Sequence, residues 1–334
     1  MTSSTDPSVL QAVEGGRGTI TLDRPAALNA LNLPMIRAIR DALGAFEHDP
    51  AVRVVTIESA REGVFCAGGD IRGVREARLA GRHAEADDFF AEEFALNLAI
   101  ARCAKPYIAL IDGICMGGGV GLCVHGTHRV VSDRLVMAMP EAAIGYFPDV
   151  GASYFLNALP PGQTGLYIAL TGERLTAADA VHCGLGTACV PLGRWPELKA
   201  RLADGASGGE AEAIARLSIR QPPGPIELNR STIDRCFGAD SLEEIVSRLA
   251  DDGGAFAHAA LAKLRAASPA SLRITLDLLH SARGRPLAEC LQLELALAKA
   301  VTRGADFAEG VRAMLVDKDR RPRWSSDAPT PKSC

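Results

Sequence analysis

The sequence predicts an α/β protein with a helical C-terminal region, and three observations carry that reading. Short β-branched runs alternate with helix-period segments up to about Leu156. Two glycine-rich segments each sit where a strand pattern gives way to a helix pattern. Beyond Leu156 the chain reads as almost all helix. Alternation of this kind requires crossover connections, the signature of parallel sheets.

Gly18 to Leu22 and Val52 to Glu58 read as strands flanking a helix over Pro34 to Phe46, which has proline near its start and stops before Asp49-Pro50. Tyr107 to Ile111 and Arg129 to Ser132 repeat the strand pattern around Gly118 to His125, a buried helix that opens on glycine. Ala77 to Cys103 reads as one long helix carrying Glu85, Asp87, Glu92 and Glu93 on an alanine and leucine background. Gly205 to Gly209 and Gln221 to Pro225 punctuate the chain. Helices follow over Ser241 to Asp251, Ala255 to Ala267, Pro269 to Ser281 and Leu287 to Arg303. The organisation expected is an α/β core over 8–200, a helical region over 210–325, and flexible tails at 1–7 and 326–334.

With 334 residues and 48% hydrophobic content, the chain can bury a large core. Its 36 basic and 40 acidic residues show no basic block, which argues against nucleic acid and for a small-molecule partner. The nine cysteines never form a CxxC pair, and several lie in apolar runs (Cys103, Cys115, Cys123, Cys189), as reduced core thiols do. Met1 to Pro7 lacks the basic and apolar regions of a secretory signal, and no apolar run reaches membrane-spanning length. A cytoplasmic protein with no membrane partner is the expectation.

Chemistry concentrates in three places. Phe65-Cys66-Ala67-Gly68-Gly69-Asp70-Ile71 puts a glycine pair at a strand-to-helix turn, where backbone N–H groups point at a ligand. Its plain reading is a tight turn with Asp70 as helix cap. Met116-Gly117-Gly118-Gly119-Val120-Gly121 is a second glycine-rich helix start, which can serve close packing alone. An oxyanion hole needs two converging donors, so the two segments together are more telling than either. The third place is the pair Pro140-Glu141 and Pro148-Asp149. Gly145 and Pro148 break any continuous helix between these carboxylates. Glu141 reads plainly as a turn residue and Asp149 as N-cap of a helix over Val150 to Ala158, yet a capping carboxylate can still face a site. His125 and His128 lack partners at metal-ligand spacing, so no metal is expected, and Ser153 lies in no nucleophile elbow.

These segments resemble the crotonase (enoyl-CoA hydratase/isomerase) superfamily. The resemblance implies a spiral of short β-sheets with surrounding helices, and an acyl-CoA whose thioester oxygen is held by two backbone amides. Carried onto this sequence, Gly69 and Gly118 are the donors, with Ala67, Gly68, Asp70 and Gly117 around them. Leu28 and Ala30, in the stretch from Arg24-Pro25 to Leu31, match the motif whose backbone lies near the CoA adenine. Arg24 and Lys105 are left as basic candidates for the CoA phosphates. Longer stretches resemble the 3-hydroxyisobutyryl-CoA hydrolase group: Phe65 to Arg72, Met116 to Gly126, Ala138 to Glu141, Ile144 to Gly151, and the far C-terminal Asp306 to Ala313, Asp317 to Asp319 and Pro322 to Trp324. Glu93 matches that group's substrate-contacting acidic position.

One departure from the hydratases decides between chemistries. They carry a catalytic Glu two residues after the glycine triplet, where this chain has Gly121, and Asp149 stands where they usually have glycine. Adding water to a double bond uses both hydratase carboxylates, whereas thioester hydrolysis needs a polarised carbonyl, a base or nucleophile, and water. The resemblance therefore implies hydrolysis of a short-chain 3-hydroxyacyl-CoA. Gly69 and Gly118 hold the oxyanion, Glu141 acts as base or nucleophile, Asp149 binds the 3-hydroxyl or assists the leaving thiolate, and Glu93 borders the acyl pocket. Alternatives are an enoyl-CoA isomerase or hydratase, and a non-catalytic acyl-CoA-binding protein. CoA enters as part of the substrate with no separate cofactor, and a homo-oligomer such as a trimer is expected.

Overall fold

In a computed structural model, residues 7–160, 162–204 and 208–325 are described. The chain forms two compact units, both discontinuous. The first takes Met1–Gly69, Glu92–Ala138 and Arg174–Glu227, the second Asp70–Ala91, Met139–Glu173 and Leu228–Cys334. This differs from a continuous 8–200 core followed by 210–325, because 70–91 and 139–173 group with the C-terminal helices. The expected tails, apart from Pro7, lie outside the described residues, as do residues 205–207 of the glycine-rich loop.

The first unit holds two sheets. Strands β1 (Val9–Glu14), β2 (Arg17–Leu22), β3 (Val54–Ser59), β5 (Tyr107–Ile111), β7 (His128–Val131) and β9 (Ala188–Cys189) make the larger, in that order. Only β1 is antiparallel to its neighbour. Strands β4 (Val64–Cys66), β6 (Ile114–Met116) and β8 (Val136–Ala138) form a small parallel sheet. The four strands anticipated from sequence are β2, β3, β5 and β7. β5 is buried at every position, which explains its unbroken apolar run.

Helix Leu33–His48 packs on β1, β2 and β3. Asn32 caps it by accepting the Met35 N–H at 3.0 Å, Pro34 fits its first turn, and Met35, Ile36, Ile39, Leu43 and Phe46 form its buried stripe. Helices Trp195–Asp204 and Glu210–Leu217 contribute Trp195, Leu198, Leu202, Ile214 and Leu217 to a core shared with Val54, Ile108, Leu110 and Val130.

Three times the chain leaves the larger sheet and enters the smaller one after a short corner: β3 to β4, β5 to β6, β7 to β8. A single buried carboxylate ties the corners. Asp112 accepts the Gly63 N–H at 2.6 Å, the Ser132 hydroxyl at 2.7 Å and Arg134 at 2.6 Å. Burial raises its pKa, but these donors outweigh burial and hold the carboxyl below its ordinary 3.8. Gly113, at φ +69°, has no room for a Cβ against the Gly63 backbone, so the first two corners touch.

In the second unit, helix Ile71–Leu79 and the start of helix His83–Arg102 replace the one long helix read from sequence. Gly81 at φ +73° breaks it, and Arg78 locks the bend by donating to Thr302 Oγ1 at 2.8 Å and to Asp87 at 2.5 Å. Helices Leu242–Asp252, Ala255–Ala266, Pro269–Ser281 and Leu287–Val301 match the sequence reading within two residues at each end. Helix Ala305–Val311 ends the unit's ordinary helices.

Replacing Asp112 with Ala leaves the buried Ser132 hydroxyl and the half-buried Gly63 N–H without their acceptor and frees the exposed Arg134 to water. The expected cost is about 3 kcal/mol, measured as a drop in the denaturant midpoint. Because the folded carboxyl titrates below 3.8, its contribution is present above that pH and is lost as pH falls further. A variant as stable as wild type at pH 7 refutes the corner-tying role.

Candidate active site

In the first unit the two glycine segments converge. Gly69 follows β4 and Gly118 follows β6, and β4 and β6 are neighbours in the small sheet. A Cβ placed on Gly118 would strike Glu93 Oε1 and lie 3.1 Å from the Gly69 nitrogen. A Cβ on Gly68 would lie 3.7 Å from the Gly118 nitrogen. Two amides and one carboxylate thus border one spot. Among the described residues neither the Gly69 nor the Gly118 N–H donates to another backbone carbonyl. Gly68 at φ +107° and Gly117 at φ +47°, ψ −116° hold conformations that L side chains rarely adopt. Gly119 is needed for packing instead, since its Cβ would meet Cys66 O at 2.7 Å. The sequence signal of two glycine-rich helix starts therefore separates into two amides that border one spot, two conformational hinges and a packing contact.

Other predicted residues hold this pair in place. Leu28 and Asn29 are left-handed, and the Leu28 carbonyl accepts the Ala67 N–H at 3.0 Å. That bond uses up the Ala67 amide, leaving Ala67 a structural part in place of a donor. Arg24 donates to Ala30 O at 2.7 Å, and buried Asn29 donates to Phe65 O at 2.9 Å. The Gly68 carbonyl accepts the Leu31 N–H at 2.8 Å. Lys105 spends its ammonium on the carbonyls of Phe46 and Asp49, at 2.6 Å each, at the end of helix Leu33–His48. Cys66, buried beside this turn, is pushed up to about 12 by burial and stays a thiol. Asp70, the first residue of the second unit, caps helix Ile71–Leu79 by accepting the Gly73 N–H at 3.4 Å, as its plain reading had it.

The second unit carries Glu141 and Asp149, both buried. Glu141 opens a short 3-10 turn, Glu141–Ile144, that is clamped on several sides. Ser268 donates its N–H to Ala142 O at 3.1 Å and its hydroxyl to Asp306 at 2.6 Å. Gly145 lies against the backbone of Asp306, Gly310 against that of Ile144, and Gly172 against Pro140, each too close for a Cβ to enter without displacement. The far C-terminal motif is thereby explained: helix Ala305–Val311 is the support on which the Glu141 turn rests.

Asp149 is not an N-cap, contrary to its plain sequence reading. The helix expected over Val150 to Ala158 shrinks to Ala152–Phe155, and Gly151 at φ +86° precedes it. The capping oxygens come from Glu294, in helix Leu287–Val301: they accept the Gly151 N–H at 2.7 Å, the Ser153 N–H at 2.9 Å and the Ser153 hydroxyl at 2.5 Å. Asp149 is released to accept the Tyr146 hydroxyl at 3.0 Å. Tyr146 is itself fixed among Phe90, Phe147 and Phe307. Burial, then the Glu294 charge, pushes Asp149 up to about 8, while the Tyr146 bond opposes. Burial also raises Glu294, and its three donors limit the rise to about 7. Between the two, the carboxylate with three donors keeps the charge and Asp149 takes the proton.

Glu294 was not singled out from sequence. A signal existed: it stands in the buried stripe Cys290, Leu291, Glu294, Ala298, Val301 of an otherwise apolar face. An acidic residue at such a position needs buried donors.

Comparison with known proteins places these features among relatives. The family described as Enoyl-CoA hydratase/isomerase matches residues 17–330. The chain is 43% identical to a chicken (Gallus gallus) protein named 3-hydroxyisobutyryl-CoA hydrolase, mitochondrial, over 96% of this chain and 85% of that one. It is 43% identical to the Homo sapiens protein of the same name, over 97% and 86%. Among solved structures, a carnitinyl-CoA dehydratase from Mycobacterium thermoresistibile superposes with a TM-score of 0.89 at 37% identity, covering 96% of this chain and 92% of that one. An enoyl-CoA hydratase from Rhodobacter sphaeroides gives 0.87 at 39%, covering 95% and 92%.

The raised carboxyl of Asp149 makes a stability prediction. Its folded value of about 8 exceeds the ordinary 3.8, so the stability it contributes is full below pH 3.8 and is lost as pH rises through 8. Asp149→Asn removes that loss. The melting temperature of the variant relative to wild type is expected to be higher at pH 8 than at pH 5; an equal difference at both pH values counts against a protonated Asp149.

Proposed function

Because the chain belongs to the enoyl-CoA hydratase/isomerase family, we propose that it hydrolyses a short-chain 3-hydroxyacyl-CoA thioester, with 3-hydroxyisobutyryl-CoA the best substrate, to the free acid and CoA. The observation that carries this reading is the carboxylate set. Position 121 has no side chain, so the second acid of a hydratase is missing, while Asp149 is buried, bonded to the Tyr146 hydroxyl and excused from capping. The names of the similar hydratase and dehydratase structures agree with the shared fold and give no reason to restore that acid.

The reaction assigns each group a task. The Gly69 and Gly118 amides bind the thioester oxygen and stabilise its charge as the tetrahedral intermediate forms, an effect worth about 2.7–4 kcal/mol per donor. Glu141 either takes a proton from the water that attacks the carbonyl carbon, or attacks that carbon itself, expelling the thiolate to leave an acyl anhydride that water then opens. Asp149 hands its proton to the departing CoA sulfur, which leaves as the thiol. Glu93, beside both amides, borders the acyl group. One water is consumed and one thioester becomes acid and thiol, with CoA belonging to the substrate and no resident cofactor called for.

A homo-oligomer, with a trimer the form the family suggests, is proposed for the assembly. The eight described cysteines are free, which favours a reducing compartment. The chicken and human relatives are named as mitochondrial proteins, so they lend no support to the cytoplasmic expectation. No described helix is long and apolar enough to cross a membrane.

Glu141→Gln is expected to lower thiol release from 3-hydroxyisobutyryl-CoA by at least about 10²-fold with CoA affinity little changed. Gly118→Ala, whose methyl enters the space between Glu93 and the Gly69 amide, is expected to cost about 10²- to 10³-fold in kcat. Crotonyl-CoA and a 3-enoyl-CoA run in parallel separate the classes. Free thiol from the hydroxyacyl substrate marks a hydrolase, enoyl absorbance change without thiol overturns that assignment, and silence with all three leaves only binding.

A further inference from the structure

Val150 is a buried, β-branched residue at φ +54°, directly before Gly151 at +86°. Two successive left-handed residues, one of them valine, cost free energy that something nearby must offset. Glu294 supplies it, since its two oxygens take the Gly151 and Ser153 N–H groups and the Ser153 hydroxyl as well, while the Ala152 N–H between them goes to the Asp149 carbonyl at 2.9 Å. The same carboxylate stands within electrostatic reach of Asp149. Asp149 is faced by Glu294 and Tyr146. Glu294 is faced by Gly151 and Ser153, with the Cys290 thiol one turn earlier on its own helix. The packed helix Pro269–Ser281 offers the Leu279 carbonyl, which Asn157 takes at 2.8 Å.

We propose that Glu294 is a positioning residue for the reaction: it caps the 151–153 turn in place of Asp149, holds Val150 and Gly151 left-handed, and by its negative charge keeps the proton on Asp149 until the thiolate leaves. The proposal rests on the hydrolase reading. It lets a buried pair of carboxyls share one charge, in which Glu294 is supplied with three donors so that Asp149 need not ionise.

The test uses the full chain and the variants Glu294→Gln, Glu294→Asp, Ser153→Ala and Asp149→Asn. Infrared difference spectra across pH follow the protonated-carboxyl band without any turnover. A band titrating near pH 8 in wild type and absent in Asp149→Asn is expected. Glu294→Gln moves that titration down by at least about one pH unit, and the alkaline limb of kcat/KM moves with it. Glu294→Asp returns both toward wild type. Ser153→Ala, which keeps the backbone bonds and folds if Glu294→Gln does not, shifts the band the same way by less. An unmoved band, or a loss of kcat/KM by one factor at every pH, overturns the proposal. A shifted band in a protein that releases no thiol upholds the proton assignment and sinks the hydrolase reading instead.

Discussion

The first unit depends on what happens at Asp112. Parallel sheets force each strand pair apart by a crossover, and here the chain must also pass from a large sheet to a small one at three corners. The Ser132 hydroxyl is buried there and the Gly63 amide half-buried, and an unpaired donor so placed costs about 1–3 kcal/mol. One carboxylate with two oxygens answers all three: the Gly63 amide, the Ser132 hydroxyl and the Arg134 guanidinium. Because β4 and β6 begin at these corners, fixing the corners fixes where both strands end. Gly69 and Gly118 follow those ends, so the spacing of the two amides is set by a bond network at the opposite end of the small sheet.

The second unit solves a different problem, that of keeping acids available in an apolar interior. A carboxylate near a helix start is drawn to the free N–H groups there, and once bound it is both ionised and immobile. The Glu294 side chain, from a distant stretch of sequence, occupies those N–H groups first. Tyr146, wedged among three phenylalanines, offers Asp149 one neutral donor in exchange. Like charges in a buried pair then make double ionisation unfavourable, so the environment divides the roles without changing residue type. Gly145 and Gly310 serve the neighbouring acid in the same spirit: by removing two Cβ atoms they let helix Ala305–Val311 support the backbone of the Glu141 turn directly.

What the sequence revealed follows from where the information is stored. Long periodic helices such as Leu33–His48 and Pro269–Ser281, and the fully apolar β5, carry their pattern locally and were legible. Strands β4, β6 and β8 are three residues each, too short for any period, and exist because of one another. The glycine pairs were legible as a site because glycine clusters are rare between strand and helix, but the separate duties of Gly117, Gly118 and Gly119 follow only from tertiary neighbours. Asp149 was misread as a cap because local rules assign a cap to the nearest carboxylate. Its actual replacement lies 143 residues away from Gly151 along the chain, and no local rule spans that distance.

An oxyanion hole by itself does not choose a reaction. Two amides aimed at a carbonyl oxygen favour enolates and tetrahedral intermediates alike, so the fold and its amides are common ground for hydration, isomerisation and hydrolysis. The choice falls to proton inventory. Hydration places a proton on carbon and needs acids arranged around a double bond; hydrolysis must expel a thiolate and needs a proton near sulfur while a separate group handles water. Gly121 withdraws an acid from the helix that opens at Gly118, and Tyr146 with Glu294 maintains one that is neutral near pH 7 at Asp149. An acid held neutral is useless for fixing a hydroxide and well suited to protonating a leaving group. A carboxylate at Glu141 beside an acid held neutral at Asp149 is the inventory that the proposed thioester hydrolysis calls for.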